Sequence, residues 1–531
     1  MIVAANPQAS RAGLAMLEAG GSAADATVAA LLVLNVVEPQ SSGIGGGAFA
    51  LVHEGDRLTT WDARETAPLT ATPELFLEDG APLPWRQASA TGRAVGVPGL
   101  VRLMETLHAS HGRLSWAELF GPAIRLARDG FAVSPRLSAL TDRYAGRLGQ
   151  TEAGAVYLSD GQPLEEGSVL RQLALADTLE AIAEGGADAF YTGPIAAAIV
   201  PAAGRKPHAG ALALEDLAAY RVVEREPVCL TYRSDWRVCG MGPPSSGATT
   251  VGQILGLMEQ ASTFLHGDDT RTWHLFAEAS RLAYADRAAY LADPDQIQVP
   301  VRGLLDPGYL RARAALIDAD NAAEDKATAG NPPYREGRYA PAEAKTSPGT
   351  THLSVIDGDG LAISLTASIE TAFGSGRMAA GFLLNNQLTD FSFRPRTEDG
   401  RPIANAPGPG KRPRSSMAPT IVYRIGETAP HILIGSPGGS RIPEYVAGAL
   451  VGMLDMGLDP AEAAALFHVS QRNRGSLVLE TGAPDALAEA LKALGHTVER
   501  AEMTSGLHII RRGEALEGGA DPRREGLALG R

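Results

Sequence analysis

Thr350-Thr351-His352-Leu353-Ser354-Val355 is the stretch that decides the fold, because strand-like alternation begins there, after a long polar segment. A threonine hydroxyl alone is a weak nucleophile, but it is activated when the preceding peptide bond is cut and the new α-amine acts as its base. Such an amine titrates near pH ~7.7 in model peptides, so much of it is neutral at working pH. The stretch therefore predicts an enzyme that cuts itself at Gly349-Thr350 to make its own nucleophile.

The composition of the 531 residues is that of a large globular protein, since 45% are hydrophobic and 20% are charged. The formal net charge is -14 and no basic stripe is present, so we expect no nucleic-acid partner. The most apolar run, residues 23–37, is shorter than the ~20 residues of a membrane-spanning helix, so it predicts a buried helix. No CxxC or HExxH motif occurs, so we expect no metal site.

The compartment and the cysteines leave alternatives open. Met1 is followed at once by an uncharged segment, so the sequence as it stands predicts a cytoplasmic protein. The alternative is a periplasmic or secreted protein whose targeting segment has been trimmed. Cys229 and Cys239 flank a predicted turn, so a cross-strand disulfide is geometrically conceivable. We favour two structural thiols, because two cysteines make no disulfide framework.

The N-terminal sequence predicts two helices, a glycine loop and a strand. Asn6-Pro7 opens a helix that Gly20-Gly21 stops, and Ser22 caps the Ala-rich helix that follows. The glycine loop at 43–47 then leads into an alternating strand at 48–53. These glycines could cradle a phosphate, but no Gly-Lys-Ser/Thr follows and a helix precedes the loop. We therefore favour close packing of the backbone.

The middle of the chain, residues 90–320, predicts mainly helices. Within it, residues 273–291 carry apolar side chains at helical spacing. Tyr284, Asp286 and Arg287 in this helix could form a site, but we favour a helix surface with one buried aromatic face.

A linker and a hairpin follow. Residues 318–349 have the Asp-, Asn-, Pro- and Gly-rich composition of a loop or linker. After them, strands at 353–356 and 361–366 flank Asp357-Gly358-Asp359-Gly360, which predicts a hairpin. A later strand at 431–435 leads through glycines into a helix. Hairpins with helices before and after them indicate sheets layered between helices.

Eight motifs occur along the chain. In order they are Val36-Val37-Glu38-Pro39 with Ser41-Ser42-Gly43-Ile44-Gly45-Gly46-Gly47; Arg64-Glu65-Thr66-Ala67-Pro68; Pro243-Pro244-Ser245-Ser246-Gly247; Thr350-Thr351-His352; Leu384-Asn385-Asn386-Gln387; Lys411-Arg412-Pro413 with Ser415-Ser416-Met417; Gly435-Ser436-Pro437-Gly438-Gly439-Ser440; and Asp521-Pro522-Arg523. Together they resemble the γ-glutamyltransferase (γ-glutamyltranspeptidase, glutathione hydrolase) family of N-terminal-nucleophile hydrolases. The resemblance covers nearly the whole chain, whereas any one motif alone would be weak.

This resemblance implies an α+β fold of the N-terminal-nucleophile hydrolase type, a four-layer αββα sandwich. It implies a precursor that is cut into a large-subunit segment, residues 1–349, and a small-subunit segment, residues 350–531. The large-subunit segment would end in the linker at about 318–349. The two segments together would form one structural domain.

The same resemblance assigns the catalytic groups. Thr350 matches the nucleophile, although by itself it could be a helix-capping or strand-edge threonine. Thr351 and Ser368 match positions whose hydroxyls support the nucleophile, and Ser368 stands where threonine is more usual. Gly438 and Gly439 match the oxyanion hole. Two N–H groups without side chains at a strand-to-helix turn suit that role, although an ordinary glycine turn is the alternative.

The substrate-binding residues implied by the resemblance separate into two charge clamps. Arg64 matches the arginine that binds the α-carboxylate of a γ-glutamyl group, because its planar fork suits two oxygens. Ser415 and Ser416 match the hydroxyl pair that assists Arg64. A surface salt bridge is the alternative role for this arginine.

The second clamp receives the α-ammonium group. Asp390, Gln387 and Glu370 match its positions, and many relatives carry asparagine where Glu370 stands. Two carboxylates near one pocket wall favour a cationic amine, whereas a glutaryl side chain would leave both uncompensated, at a cost of several kcal/mol. We therefore favour γ-glutamyl over glutaryl chemistry. The alternative role of Glu370 is that of a solvated strand residue.

Residues 391–411 are expected to form a loop over the pocket. The segment is polar and Pro-rich and contains no tyrosine, whereas some relatives close the site with one. We expect a more open cleft, in which water competes better against amine acceptors.

The activity implied by the resemblance is transfer of a γ-glutamyl group from glutathione or a related γ-glutamyl amide to water or an amine. The acyl group would pass through an ester on Thr350, and no cofactor is needed. One alternative on the same fold is a glutaryl- or cephalosporin-type acylase or another amidase. A second is an uncut, non-catalytic homologue that only binds a ligand.

Overall fold

Two β-sheets form the centre of the computed structural model, which describes residues 1–261, 270–337, 339–342 and 349–530. Their strands, in chain order, are β1 (Ile2–Ala4), β2 (Gly47–Glu54), β3 (Arg57–Ala63), β4 (Val223–Arg225), β5 (Val228–Tyr232), β6 (Trp236–Gly240), β7 (Gly349–Ile356), β8 (Ala362–Glu370), β9 (Thr420–Arg424), β10 (Ile432–Gly435), β11 (His508–Arg512), β12 (Leu516–Ala520) and β13 (Leu527–Leu529). A smaller sheet is formed by Val469–Ser470, Leu477–Glu480 and Val498–Ala501.

Both central sheets are antiparallel. The first has seven strands in the order β4-β3-β2-β8-β7-β1-β13, and the second has six in the order β5-β6-β9-β10-β11-β12. Strands β7 and β8 of the first sheet contact β10 of the second. The two sheets therefore pack face to face.

Helices cover the outer face of each sheet. Those of eight or more residues are α1 (Pro7–Glu18), α2 (Ala23–Val37), α3 (Leu100–His111), α4 (Trp116–Asp129), α5 (Pro135–Leu148), α6 (Leu173–Tyr191), α7 (Pro194–Ala203), α8 (Gly247–Ala261), α9 (Thr270–Tyr290), α10 (Pro307–Ala314), α11 (Ile442–Leu454) and α12 (Asp485–Ala493). Helices α1, α2 and α3 pack on the first sheet, and α8 and α11 pack on the second. The layers are helix, sheet, sheet, helix, which confirms the predicted αββα sandwich.

Strand alternation explains why the first sheet is buried on both faces. In β2, Ala48, Ala50 and Val52 belong to the core cluster that contains α2. Phe49 and Leu51 belong to the cluster that contains the second sheet. Successive side chains of a strand point to opposite faces, so one strand contributes to both cores.

The apolar run at 23–37 is a buried helix, as predicted. Every residue of α2 is buried, and Ser22 caps it by accepting from the N–H groups of Ala24 and Asp25. The Asp25 carboxylate accepts in return from the N–H of Ser22 at 2.9 Å. This reciprocal capping box fixes where the helix begins. Among the described residues, no helix is long and apolar enough to cross a membrane.

The glycine loop at 43–47 packs against neighbouring backbone, as predicted. A Cβ at Gly46 would lie 2.2 Å from the carbonyl oxygen of Ser368, and one at Gly45 would lie 2.1 Å from that of Leu383. Both distances are far below van der Waals contact, so only glycine fits these two positions. The close approach lets β2 lie directly against β8.

The predicted hairpin is formed by β7 and β8. Its turn is held by Asp357, whose Oδ1 accepts from the N–H groups of Asp359 and Leu361 at 3.0 Å each. The register of the hairpin places Thr350 opposite Ser368.

The predicted linker ends in strand β7, which begins at Gly349, and is otherwise irregular where the structure describes it. Residues 318–337 and 339–342 form no helix or strand, as their composition indicates. Residues 338 and 343–348 of the linker lie outside the described residues.

The predicted helix at 273–291 is present as α9, but its assignment as a surface helix is wrong. Tyr284, Asp286 and Arg287 are only 5%, 1% and 7% exposed. The helix is enclosed because α8 packs on one side of it, while the strand Val469–Ser470 and α12 pack against it elsewhere. Its polar side chains are therefore interior groups that need partners.

The preference for two structural thiols is also wrong, because Cys229 and Cys239 form a disulfide. The register of β5 and β6 places the two residues directly opposite each other, with their Cα atoms 4.1 Å apart. The strand pairing alone thus brings the two sulfur atoms within bonding reach.

Candidate active site

Thr350 lies at the start of β7, where its hydroxyl meets the side chain of Ser368. The two oxygen atoms are 3.1 Å apart, and Ser368 Oγ donates to the carbonyl oxygen of Gly349 at 2.6 Å. Ser368 Oγ also accepts from the N–H of Glu370 at 2.9 Å. A hydroxyl has one proton to donate, so Thr350 must be the donor in the contact with Ser368. The three groups form a chain from the Thr350 hydroxyl to the carbonyl of the peptide bond that precedes it.

Thr351 does not join this chain, contrary to the expectation that its hydroxyl supports the nucleophile. It is fully buried, and among the described residues its Oγ1 has no hydrogen-bond partner. The reason is strand geometry, since neighbouring residues of a strand point to opposite faces. Of the two predicted supporting hydroxyls, the structure brings only that of Ser368 to Thr350.

Gly438 and Gly439 lie between β10 and the helix that follows, as predicted. Both have a positive φ, 135° at Gly438 and 63° at Gly439. A Cβ at Gly438 would lie 2.4 Å from the ring of Tyr445. Gly439 lines the same pocket as Thr350. A strand-to-helix turn of two such residues can present backbone N–H groups to a developing oxyanion.

Arg64 and Asp390, predicted to bind opposite ends of a substrate, are paired with each other. Arg64 Nη2 lies 2.5 Å from Asp390 Oδ2, which also accepts from Gln387 Nε2 at 2.8 Å. Arg64 is further fixed by the carbonyl oxygen of Pro413, which accepts from its Nε at 3.1 Å. Both charges are buried, so a zwitterionic group that enters must replace this ion pair with two new ones.

Two acceptor atoms, on Asp390 and Gln387, remain available to an ammonium group. Among the described residues, Asp390 Oδ1 and Gln387 Oε1 are buried without a hydrogen-bond donor. Buried acceptors without a donor are costly, and an ammonium group brings three donors. The position of Asp390 and Gln387 in the pocket wall thus suits the role predicted for them.

Glu65, next to Arg64, is a group that the sequence did not single out. Its Oε2 lies 3.7 Å from Arg64 Nη1, and the side chain is fully buried. Burial raises the pKa of Glu65 to about 8, although Arg64 opposes the shift. Near neutral pH this carboxyl is therefore mostly protonated and leaves the charge of Arg64 to an anion in the pocket.

Glu370 lines the pocket at the end of β8 and is not a solvated strand residue. It is 3% exposed and has a φ of 76°, which is unusual for a residue with a side chain. Its carboxylate accepts from Asn386 Nδ2 at 2.6 Å and from the hydroxyl of Thr371. Two donors thus hold the carboxylate in the wall of the pocket that Asp390 also lines.

Ser415 and Ser416 lie in the pocket wall next to Arg64. Ser416 Oγ accepts from Arg287 Nη2 at 2.6 Å. Ser415 is held through its backbone, because its carbonyl oxygen accepts from the N–H of Ser246 at 2.8 Å. Ser246 Oγ in turn accepts from Arg287 Nε at 2.8 Å. Arg287, which the sequence pattern places on a helix surface, thus supports both serines.

A second arginine that the sequence analysis missed contacts Thr350 itself. Arg524 Nη1 donates to the carbonyl oxygen of Thr350 at 3.1 Å, and its Nε donates to the carbonyl oxygen of Ser505 at 3.1 Å. Burial first, and Arg136 second, lower the pKa of Arg524 to about 9, which keeps it charged near neutral pH. Its position directly after the motif Asp521-Pro522-Arg523 was the available signal.

The pocket has an apolar part that the sequence did not predict. Met417 and Ile442 line it together with the polar residues described above. Met417 directly follows Ser416 in one of the motifs, and Ile442 begins α11. Aliphatic side chains in such a wall suit the methylene groups of an acyl chain.

Residues 391–411 do not cover the pocket as expected. All of them are described, and none is among the residues that line it. Phe393 stacks on Phe76 with the ring centres 4.2 Å apart, and Asn405 Nδ2 donates to the carbonyl oxygen of Asp390 at 2.7 Å. The segment therefore supports the backbone at Asp390 through Asn405.

The αββα sandwich, with a threonine hydroxyl at the start of a central strand and a glycine turn in the same pocket, is the arrangement of an N-terminal-nucleophile hydrolase. The model of the gamma-glutamyltranspeptidase family matches residues 9–530. The chain belongs to the gamma-glutamyltranspeptidase family.

Individual relatives agree with this placement. The chain is 36% identical to a glutathione hydrolase proenzyme of Bacillus subtilis (strain 168), over 100% of this chain and 91% of the relative. It is 38% identical to a glutathione hydrolase proenzyme of Escherichia coli (strain K12), over 98% of this chain and 90% of the relative. Among solved structures, a cephalosporin acylase from Bacillus halodurans matches with a TM-score of 0.87 at 29% identity, covering 99% of this chain and 94% of that one.

Proposed function

We propose that this chain is a precursor that cuts itself at Gly349-Thr350 and then hydrolyses or transfers γ-glutamyl groups with Thr350 as nucleophile. The observation that carries the proposal is the hydroxyl chain from Thr350 through Ser368 to the carbonyl oxygen of Gly349. Relatives along the whole chain are glutathione hydrolase proenzymes, which supports both the cut and the γ-glutamyl substrate.

The mechanism of self-cleavage follows from the direction of the hydrogen bonds in this hydroxyl chain. Thr350 Oγ attacks the carbonyl carbon of Gly349, and its proton moves to Ser368 while Ser368 protonates the carbonyl oxygen. The proton of the resulting hydroxyl then passes to the nitrogen as the C–N bond breaks, which leaves Gly349 as an ester on Thr350 Oγ and frees the α-amine. Water hydrolyses the ester, so the products are residues 1–349 with a new carboxylate and residues 350–531 with a new N-terminal threonine.

The turnover step reuses the same hydroxyl. The free α-amine of Thr350 takes the proton of its own Oγ, which attacks the γ-carbonyl carbon of the substrate. The N–H groups of Gly438 and Gly439 stabilise the oxyanion of the tetrahedral intermediate. The amine leaves with the proton, and water or another amine then releases the γ-glutamyl group from Thr350 Oγ.

Substrate recognition rests on an exchange of ion pairs. Arg64, assisted by Ser415 and Ser416, binds the α-carboxylate of the γ-glutamyl group. Asp390, with Gln387 and Glu370 beside it, binds the α-ammonium group. Because Arg64 and Asp390 already hold each other in a buried pair, a substrate that offers both charges restores both interactions at once.

A Thr350→Ala variant tests the nucleophile. We expect one uncut chain and no turnover of γ-glutamyl anilides, because alanine offers no hydroxyl for either step. A denaturing gel and an anilide assay measure the two outcomes. The wild type should give two bands, residues 1–349 and residues 350–531.

Thr351→Ala is the matched control for that experiment. It removes the neighbouring hydroxyl, which makes no hydrogen bond among the described residues, so the chain should still be cut and active. Two fragments from Thr350→Ala would contradict the proposal. An uncut wild type would favour the non-catalytic, ligand-binding alternative.

A second candidate function is that of a glutaryl- or cephalosporin-type acylase, which the likeness to the Bacillus halodurans enzyme favours. Asp390 and Glu370 argue against it, because a glutaryl chain has no ammonium group to offset two buried carboxylates. The two functions are separated by comparing kcat/KM for γ-glutamyl and glutaryl anilides on the cut enzyme. A higher value for the glutaryl anilide would replace our proposal with this one.

A further inference from the structure

The turn at Gly438 and Gly439 needs support from outside itself. Glycine adopts positive and negative φ angles about equally well, so two consecutive glycines leave several conformations open to the chain. The φ angles of the two residues are 135° and 63°. An oxyanion hole works only when its N–H groups are held toward the developing charge before the reaction begins. Neighbouring side chains must therefore fix the turn in this one conformation.

Tyr284 of α9 makes a contact of this kind. Its hydroxyl donates to the carbonyl oxygen of Ser440. Gly438 is followed by a short 3-10 turn, Gly439–Arg441, which leads into α11. Because peptide groups are planar and joined by only two soft dihedral angles per residue, fixing one of them restricts its neighbours. The bond to Ser440 thus restrains the N–H groups of the two glycines.

The surroundings of Tyr284 keep its hydroxyl a donor. The side chain is 5% exposed, and the guanidinium of Arg287 lies over its ring, 5.7 Å from the ring centre. Burial first, and Glu444 second, raise the pKa of Tyr284, although Arg287 opposes the shift. The phenol therefore keeps its proton near neutral pH and can donate it to the carbonyl oxygen.

Two other side chains contact the turn in a different way. A Cβ at Gly438 would lie 2.4 Å from the ring of Tyr445, so this ring packs directly against the glycine. Arg472 Nη1 donates to Ser440 Oγ, which can rotate about the side-chain torsion. The bond from Tyr284 differs from both contacts, because it is directional and is made to a backbone atom of the turn.

The same helix also supports the substrate-binding side of the pocket. Arg287 follows Tyr284 by three residues, so the two side chains are neighbours on α9. Arg287 donates to Ser416 Oγ at 2.6 Å and to Ser246 Oγ at 2.8 Å. Tyr284 is therefore the part of α9 that reaches the oxyanion end of the site, whereas Arg287 reaches the serines.

We propose that Tyr284 is a positioning residue that holds the oxyanion turn in its reactive geometry by fixing the carbonyl group of Ser440. This inference rests on the proposed γ-glutamyl function and adds a residue to its chemical step. The oxyanion of turnover forms at the glycine turn, whereas the carbonyl oxygen of Gly349 accepts from Ser368 in the uncut chain. Loss of the Tyr284 hydroxyl should therefore slow turnover and spare self-cleavage.

Tyr284→Phe tests the proposal, because it removes the hydroxyl and keeps the ring. We expect two fragments on a denaturing gel, as for the wild type. For γ-glutamyl-p-nitroanilide we expect kcat to fall about tenfold while KM changes less than about twofold. Formation and hydrolysis of the acyl-enzyme both pass through an oxyanion at this turn, so kcat should fall whichever step limits it.

Tyr290→Phe is the matched control. Tyr290 lies on the same helix, and its hydroxyl donates to a backbone carbonyl oxygen as well, that of Gly330 in the linker, at 2.5 Å. This variant loses a bond of the same kind away from the turn, so its kcat should match that of the wild type. An equal loss of kcat in the two variants overturns the proposal, and so does an uncut or fully active Tyr284→Phe.

Inhibitor binding gives a second readout that a loss of fold stability would not produce. A boronic acid analogue of glutamate can add the Thr350 hydroxyl and form a tetrahedral anion, whereas L-glutamate binds without such an adduct. For Tyr284→Phe we expect Ki of the boronic acid to rise about tenfold and Ki of L-glutamate to stay unchanged. Equal changes in the two Ki values overturn the positioning role. A wild type that turns over no γ-glutamyl anilide instead overturns the proposed function.

Discussion

At the residue scale, Ser368 shows that a serine in place of the more usual threonine keeps the hydroxyl that the site uses. Its hydroxyl accepts from Thr350 and from the N–H of Glu370 and donates to Gly349, so both lone pairs and the proton are used. A threonine could make the same three bonds, and the methyl group it would add takes no part in them. What the site needs at this position is the hydroxyl.

Arg524 has a role that only its contact with Thr350 reveals. A cation next to the N-terminal residue disfavours a second positive charge, so it should lower the pKa of the Thr350 α-amine. Charged and titratable groups around Arg524 are Glu38, Arg136, Asp521 and Tyr445. We infer that Arg524 is a positioning residue that also keeps the catalytic base in its neutral form.

Arg524→Gln should therefore shift the pH profile of the enzyme. Without the cation the α-amine is protonated up to a higher pH, so the acidic limb of kcat/KM should move upward by as much as about one pH unit. The measurement is kcat/KM for γ-glutamyl-p-nitroanilide against pH.

Arg524→Lys, which retains a charge, serves as the comparison and should keep the limb close to its wild-type position. A lower rate for Arg524→Gln with an unmoved limb would mean that the arginine only stabilises the fold.

At the element scale, the β7–β8 hairpin is the element that assembles the site. Its register puts Thr350 opposite Ser368, and its end carries Glu370. The glycine loop at 43–47 lets β2 lie against β8, because a side chain at position 46 would not fit next to Ser368. The positions of the hydroxyl chain thus follow from strand pairing.

The segment 391–411 does not shield the pocket from water. None of its residues lines the pocket, and it contains no tyrosine. We expect hydrolysis to dominate over transfer at low acceptor concentration, because nothing from this segment excludes water from the acyl-enzyme. The measurement is the ratio of γ-glutamyl-glycylglycine to free glutamate at increasing glycylglycine. Dominant transfer at low glycylglycine would show that acceptors are bound in another way.

At the scale of the whole molecule, a cut at Gly349-Thr350 does not divide the fold. In the first sheet, β7 and β8 lie between β2 and β1, so strands from both sides of the cut alternate. In the second sheet, β6 before the cut pairs with β9 after it. Separating the fragments would break both sheets, so we expect them to stay together as one unit.

The space between the two sheets holds a pair of neutral histidines. His352 of β7 and His508 of β11 are parallel, with ring centres 6.2 Å apart. Burial lowers the pKa of His508 to about 3, with Asp521 opposing the shift and Arg524 adding to it. Burial, and then His508, lower the pKa of His352 well below its usual value. The contacts of His352 are the hydroxyls of Thr366 and Ser354.

These shifts predict acid sensitivity. The unfolded chain takes up protons below about pH 6.5 that the folded chain cannot, so stability is kept above that pH and lost as the pH falls toward about 3. Each such histidine should lower the free energy of unfolding by ~1.4 kcal/mol per pH unit in this window. His508→Asn should therefore have a shallower slope than the wild type in urea unfolding between pH 6.5 and 5. Equal slopes would contradict this assignment.

Much of the site could be predicted from the sequence, because motifs fix which residue types stand at which positions. Thr350, Ser368, Gly439, Arg64, Asp390, Gln387, Glu370, Ser415 and Ser416 all line one pocket. The errors concern contacts across the chain. The Thr351 hydroxyl makes no hydrogen bond among the described residues, and residues 391–411 support the backbone of Asp390 instead of covering the pocket. Arg287 reaches Ser416 from a helix whose pattern predicts a surface element.

By itself, the sequence determined the hairpin that begins at Thr350 and the chemical groups of the pocket, because these depend on local alternation, turns and motifs. Its resemblance to a known family implied the αββα layering. Only the tertiary structure decided which groups face each other. In it, strand register brings Cys229 to Cys239, which form a disulfide. Arg64 forms a buried ion pair with Asp390, and Arg524 donates to the carbonyl oxygen of Thr350. Such contacts join residues far apart in the chain, and their distances are set by how the layers pack.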